Sequence, residues 1–281
     1  MRALAGRRDL ACINTATLGH REPFERTVRR VAAAGFEYIS PWRREIDEDH
    51  PEEAAKLIRA AGLKTGGYCR TEYFSADDVA GAKAAIDSNR RAVEVAAVLG
   101  APFVVAVVGG LAPHSKDIEA SRAQILEGLA ALVPTLRSTG VGIALEPLHP
   151  FYAADRSLLN TVEQARQWCE LLDPRNEGIF GIAVDAYHVW WDPELEMSLQ
   201  RAAGRVKALH VCDWLRETHE PLLDRGMMGD GVIDLRRLRR MVETGGFTGP
   251  IEVEIFSTDN WWRRPPDEVL NVCRERLDTV V

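Results

Sequence analysis

The chain has 281 residues, of which 46% are hydrophobic and 27% charged, with a formal net charge of -7. That length is ample for a substantial core, and the acidic balance argues against nucleic-acid binding and for a small-molecule partner. Five cysteines, Cys12, Cys69, Cys169, Cys212 and Cys273, are odd in number and show no Cys-x-x-Cys spacing, which excludes a disulfide framework and points to reduced thiols.

In chain order, short β-like runs alternate with longer amphipathic stretches, the pattern of βα units around a parallel sheet. Met1 to Asp9 is basic but lacks an apolar signal-peptide core, and no later run approaches a membrane span, so the expectation is a cytoplasmic protein that makes no use of a membrane. The expected strands are Leu10–Asn14, Tyr38–Pro41, Lys64–Cys69, Phe103–Val108, Gly142–Pro147, Gly181–Asp185, Val206–Cys212 and Ile251–Phe256. Between them the expected helices are Pro23–Ala34, Pro51–Ala61, Ala76–Leu99, Ser121–Ser138, Val162–Leu172, Pro193–Ala203 and Leu235–Thr244, with a last one from Asp267 towards Val281. Gly35, Gly62, Gly100, Gly140, Gly204 and Gly245 stand where these helices should stop. Thr161, with Gln164 three residues on, and Asp267 read as helix starts. Eight such units over this length predict a single (β/α)8 barrel spanning residues 1–281. An open doubly wound sheet is the alternative, but the chain has no Gly-x-Gly-x-x-Gly turn and no Walker loop.

Chemistry-bearing residues fall where the β-like runs give out. Glu146 follows Ile143-Ala-Leu, Asp185 follows Ala183-Val, His210 follows Ala208-Leu, and Glu254 follows Ile251-Glu-Val. Strand alternation puts Glu252 and Glu254 on the same face, with Glu254 nearer the carboxyl end. A parallel barrel presents its chemistry at that end, so three carboxylates and one imidazole would surround one divalent cation. Oxygen and imidazole donors suit Mn²⁺, Mg²⁺, Co²⁺ or Zn²⁺, with Mn²⁺ the leading choice.

Glu146-Pro, Asp185-x-x-His188, His210-x-x-Asp213-x-x-Arg216, the Gly229-Asp-Gly231 turn and Glu254, taken in order, resemble the sugar isomerase/epimerase family of xylose-isomerase-like barrels. The resemblance covers nearly the whole chain. It implies a metal held by Glu146, Asp185, His210 and Glu254, with Glu146 and Glu254 also the catalytic acid/base pair and His188 and Arg216 binding substrate oxygens. The implied activity is isomerisation or epimerisation of a keto-sugar by proton abstraction next to a carbonyl, through a metal-stabilised enediolate. The same metal and base would serve a lyase that dehydrates a keto-cyclitol or cleaves a 3-keto-glycoside, and a noncatalytic sugar-binding barrel is the reading from another class.

The segment after Glu146, Leu148-His-Pro-Phe-Tyr-Ala-Ala-Asp-Arg, departs from tagatose-type epimerases, which carry a second glutamate there for ketose recognition. His149 and Asn160 are therefore candidates either for substrate contact or for holding this loop. Trp42, directly after the second strand, is the preferred aromatic candidate for the pocket, and Tyr187, Trp190, Trp191, Trp214, Trp261 and Trp262 lie near the same strand ends. Their surfaces also leave room for a homo-oligomer. Tyr68-Cys69-Arg70 and Gly109-Gly110 offer none of the extra histidines that the related zinc nucleases need for a trinuclear site. The Arg225–Gly231 loop lacks the residues of a phosphate cradle.

Overall fold

The computed structural model describes residues 1–281 and contains nine strands, all paired in parallel. They are β1 Ala11–Asn14, β2 Tyr38–Ser40, β3 Lys64–Thr65, β4 Tyr68–Cys69, β5 Phe103–Ala106, β6 Gly142–Leu145, β7 Phe180–Asp185, β8 Val206–Val211 and β9 Ile251–Val253. The sheet order is β3-β2-β1-β9-β8-β7-β6-β5-β4. Its two ends, β3 and β4, are successive pieces of one segment, and a bridge between Trp42 and Cys69 joins the end of β2 to β4. The ladder therefore comes back on itself as a nearly closed TIM barrel with helices around it.

The third expected strand is divided at Gly66-Gly67 for a steric reason. A Cβ on Gly66 would lie 2.7 Å from Cys12 Sγ and 2.8 Å from Ser40 Oγ, and one on Gly67 would lie 2.6 Å from the Phe103 ring. Side chains from neighbouring strands fill the barrel here, so the backbone has no room for its own.

The expected helices are present with adjusted ends. They include α1 Phe24–Ala33, α2 Pro51–Ala60 and α3 Val79–Leu99, the last capped by Asp78, which accepts from the Gly81 amide at 2.7 Å. The expected helix Ser121–Ser138 is two helices, α4 Ile118–Ala130 and α5 Val133–Thr139. Pro134 has no N–H to donate and its ring crowds the carbonyl four residues back, which ends α4. Next come α6 Val162–Leu172, the one-turn α7 Ala186–Val189, α8 Leu195–Arg201, α9 Leu235–Thr244 and α10 Pro266–Thr279. Thr161 caps α6 by accepting from the Gln164 amide at 3.1 Å. Asp267 lies within the first turn of α10 and does not cap it. After α9 the left-handed residue is Gly246 (φ 93°), whereas Gly245 keeps φ -73°.

The helices bury apolar stripes, such as Val28 and Val31 of α1 and Leu235, Leu238 and Val242 of α9, against the outer face of the barrel. Inside, Cys69, Phe103, Val105, Ala144, Ala183 and Ala208 form a separate layer. Period-two alternation then puts Glu146, Asp185 and His210 two residues beyond Ala144, Ala183 and Ala208, on the inner wall above that layer. No helix is long and apolar enough to cross a membrane.

Candidate metal centre and catalytic pocket

Glu146, Asp185, His210 and Glu254 come together at the carboxyl ends of β6, β7, β8 and β9, with one donor atom from each inside a cluster no more than 4.8 Å across. A cation with ligands at about 2.0–2.2 Å spreads its donors over roughly that distance, so the four side chains fit one divalent ion. His210 turns Nδ1 towards the carboxylates, 3.1 Å from Glu146 Oε1 and 3.8 Å from Glu254 Oε2. Its Nε2 has no hydrogen-bond partner and lies 3.8 Å from Glu252 Oε1. Glu252 is itself fixed from below by Asn14 Nδ2 and Ser40 Oγ, each at 2.7 Å. An outer carboxylate placed behind a ligating imidazole sets which nitrogen faces the metal.

The four residues are not equivalent. Asp185 and His210 are 0% exposed, whereas Glu146 and Glu254 are each 5% exposed and line an open pocket at this end of the barrel. Burial raises the Glu254 carboxyl to about 8, helped by Glu146 and Asp185 and opposed by His210 and Arg225. For His210 burial works against the charged ring, but Glu252, Glu146 and Glu254 outweigh it and hold the imidazole well above its usual value. Asp185 is also penalised by burial, yet Arg225 and His210 bring its carboxyl below the ordinary range.

Arg225, from the loop between β8 and α9, was not among the residues singled out from the sequence. It is buried, with Nη1 at 2.9 Å from Asp185 Oδ2 and 3.4 Å from Glu254 Oε2. Its guanidinium lies between the Tyr187 and Phe256 rings, 4.4 and 4.8 Å from their centroids. Nη2 is 3.2 Å from His188 Nε2. Because a guanidinium only donates, His188 Nε2 accepts, which makes His188 neutral with its proton on Nδ1. Burial agrees, pushing His188 down to about 3. That Nδ1 has no partner in the protein.

The loop reaches the site because Asp213 organises it. Its carboxylate accepts from the amides of Trp214, Gly229 and Ile233, while its backbone pairs with Gly226 in both directions at 2.9 Å. The only sequence signal was this glycine-containing run, Arg225–Gly231.

Trp42 lines the pocket, its Nε1 donating to Asn14 Oδ1 at 2.6 Å, and so does His188. Arg216 is exposed and lies outside the pocket lining. His149 also lies outside it, stacked on Trp214 with centroids 5.1 Å apart and accepting from the Phe151 amide at 3.2 Å. Asn160 donates to the carbonyls of Leu148 and Ser157, both at 3.0 Å, and so holds the loop after Glu146. The remaining lining includes Arg70, Tyr152 and Arg156.

A family model described as xylose isomerase-like TIM barrel matches residues 28–275. The chain belongs to that family. Among its relatives, inosose isomerase of Bacillus velezensis (strain DSM 23117 / BGSC 10A6 / LMG 26770 / FZB42) is 24% identical over 96% of each chain. The crystal structure of protein SMc04130 from Sinorhizobium meliloti 1021 is 48% identical, covers 98% of this chain and 99% of its own, and has a TM-score of 0.93. The crystal structure of the IOLI protein with a bound zinc atom shares the fold, with 21% identity, TM-score 0.81 and coverage of 96% of this chain and 97% of its own.

Proposed function

We propose that the protein is a divalent-metal-dependent isomerase or epimerase of a keto-sugar, with Glu146 and Glu254 as its acid/base pair. The observation that carries this reading is the division within the cluster, where two glutamates reach the open pocket while Asp185 and His210 are sealed behind them. A cation held by the four residues would polarise the substrate carbonyl and offset the charge that develops as the neighbouring proton leaves.

Glu254 removes that proton, and Glu146, projecting from β6, returns one at the carbon where the new centre forms. Their carboxylates need to be ionised in turn, and a base poised near neutral pH is the efficient choice. The unpartnered Nδ1–H of His188 donates to a substrate oxygen, and the buried Tyr152 hydroxyl, which also lacks a partner, binds another. Trp42, pinned to Asn14, gives the sugar ring an apolar face and keeps water from the reacting carbon. The zinc in the IOLI structure and the isomerase activity in the name of the Bacillus relative support this reading.

The test is a panel of keto-sugars in deuterated water, with the protein loaded with Mn²⁺ or stripped by a chelator. The expected result is deuterium at the carbon beside the carbonyl, with an isomer of equal mass, in the loaded sample alone. Loss of water or of an aglycone would assign the site to elimination instead, and no exchange with any member of the panel would refute the proposal.

A further inference from the structure

Two arginines in the pocket have no counter-charge. Arg70 follows β4 directly and Arg156 belongs to the loop after Glu146, and both line the same pocket as Glu146 and Glu254. Arg70 donates only to the Thr71 carbonyl at 2.9 Å and the Tyr73 hydroxyl at 3.5 Å, and each of the two side chains keeps a buried Nε with no acceptor. Aromatic faces support them in place of carboxylates, Tyr73 at 4.6 Å from Arg70 and Tyr152 at 5.7 Å from Arg156. Arg225 differs, since Asp185 and Glu254 take up its charge.

An unpaired guanidinium at the edge of a partly enclosed site is a strong anion receptor, because its planar fork matches the two oxygens of a carboxylate or phosphate. The charges around the pocket make the same case. Glu254 is matched by Arg225 and Glu146 by His210, leaving Arg70 and Arg156 as surplus positive charge in the lining. The space among these side chains, counted out to the open mouth, is about 410 Å³, within the range of small-molecule sites. The half-exposed Arg70 and Arg156 have no ion pairs that would hold them away from an entering ligand.

We propose that Arg70 and Arg156 form an anion subsite that selects a keto-sugar carrying a carboxylate or phosphate on a carbon remote from the carbonyl. The proposal rests on the proton-transfer reading for the sugar frame alone. Binding is measured by calorimetry on the Mn²⁺-loaded protein with three unreactive polyols, xylitol, xylonate and xylitol 5-phosphate. At least one anion should bind ~10- to 100-fold more tightly than xylitol, the range expected when charged hydrogen bonds form. Which anion gains more distinguishes the carboxylate from the phosphate. The R70Q/R156Q double variant should lose that gain while leaving xylitol affinity and metal content unchanged, and R70K/R156K should retain part of it. Equal affinity for all three ligands, no measurable binding, or an anion preference that survives R70Q/R156Q would overturn the subsite. Since these ligands do not react, failure here leaves the exchange experiment standing. Intact anion binding without proton exchange would refute the enzymatic reading alone.

Discussion

Replacing Arg225 by Met tests whether this side chain holds the carboxylate cluster together. The substitution keeps an apolar chain between Tyr187 and Phe256 but removes the bonds to Asp185 at 2.9 Å, Glu254 at 3.4 Å and His188 at 3.2 Å. Asp185 and Glu254 are buried, so they cannot recover those interactions from bulk water. Breaking a buried ion pair by deleting one partner costs about 3–5 kcal/mol, and lost stacking of the cation on the rings adds up to ~2 kcal/mol. At roughly 2–4 °C per kcal/mol for a domain of this size, the melting temperature of the metal-free variant should fall by ~6–28 °C. A bound divalent cation supplies the missing positive charge, so Mn²⁺ should raise the melting temperature of R225M by more than that of the wild type. Differential scanning calorimetry with chelator and with Mn²⁺ reads both effects. A metal-free R225M melting within about 2 °C of the wild type, or gaining no more from Mn²⁺, would refute the reasoning.

Metal uptake should release about one or two protons, because both His210 and Glu254 must give up protons that the empty cluster favours. Calorimetry in buffers of different ionisation enthalpy measures the number, and the affinity should fall at least ~10-fold per pH unit between pH 8 and 6; pH-independent affinity would contradict the ligand set. Burial would raise the Glu243 carboxyl, but the Arg2 amide at 2.9 Å and Arg239 at 2.9 Å lower it. A depressed carboxyl stabilises the fold above its unfolded pKa, so the stability gap between wild type and E243Q should be full at pH 6–7 and close as pH falls below about 4.5; denaturant melts across that range check the sign. Asn160→Ala frees the Leu148 and Ser157 carbonyls and should cost about 1–3 kcal/mol, with faster proteolysis of the loop after Glu146. An unchanged loop with a raised KM would instead make Asn160 a substrate contact.

The barrel was legible because its helices and strands carry clear periods and an alanine stands two positions before three of the four clustered residues, Ala144 before Glu146, Ala183 before Asp185 and Ala208 before His210. Family pattern and spacing together singled out the four clustered residues. What escaped was set by contacts that no local pattern encodes. Gly66-Gly67 split a strand because Phe103, Cys12 and Ser40, far away in sequence, occupy the space. Pro134 did carry a local signal, and the longer amphipathic run obscured it. Arg225 lies fifteen residues past His210, on a loop whose path depends on Asp213, while Arg216, at the spacing of the family motif, is exposed. His149 and Asn160 were ambiguous for the same reason: a polar residue on a loop reads alike whether it binds a ligand or the loop itself.

The central claim is that Glu254 moves a proton at a metal-dependent site. The direct measurement is the rate at which Mn²⁺-loaded wild-type and E254Q proteins wash deuterium from solvent into the carbon beside the carbonyl of a turned-over keto-sugar, followed by proton NMR. Glutamine keeps the size of the side chain but cannot accept the proton, so exchange should fall by ~10²- to 10⁴-fold while E254Q remains folded and still binds the sugar. Exchange in E254Q at the wild-type rate would contradict the account.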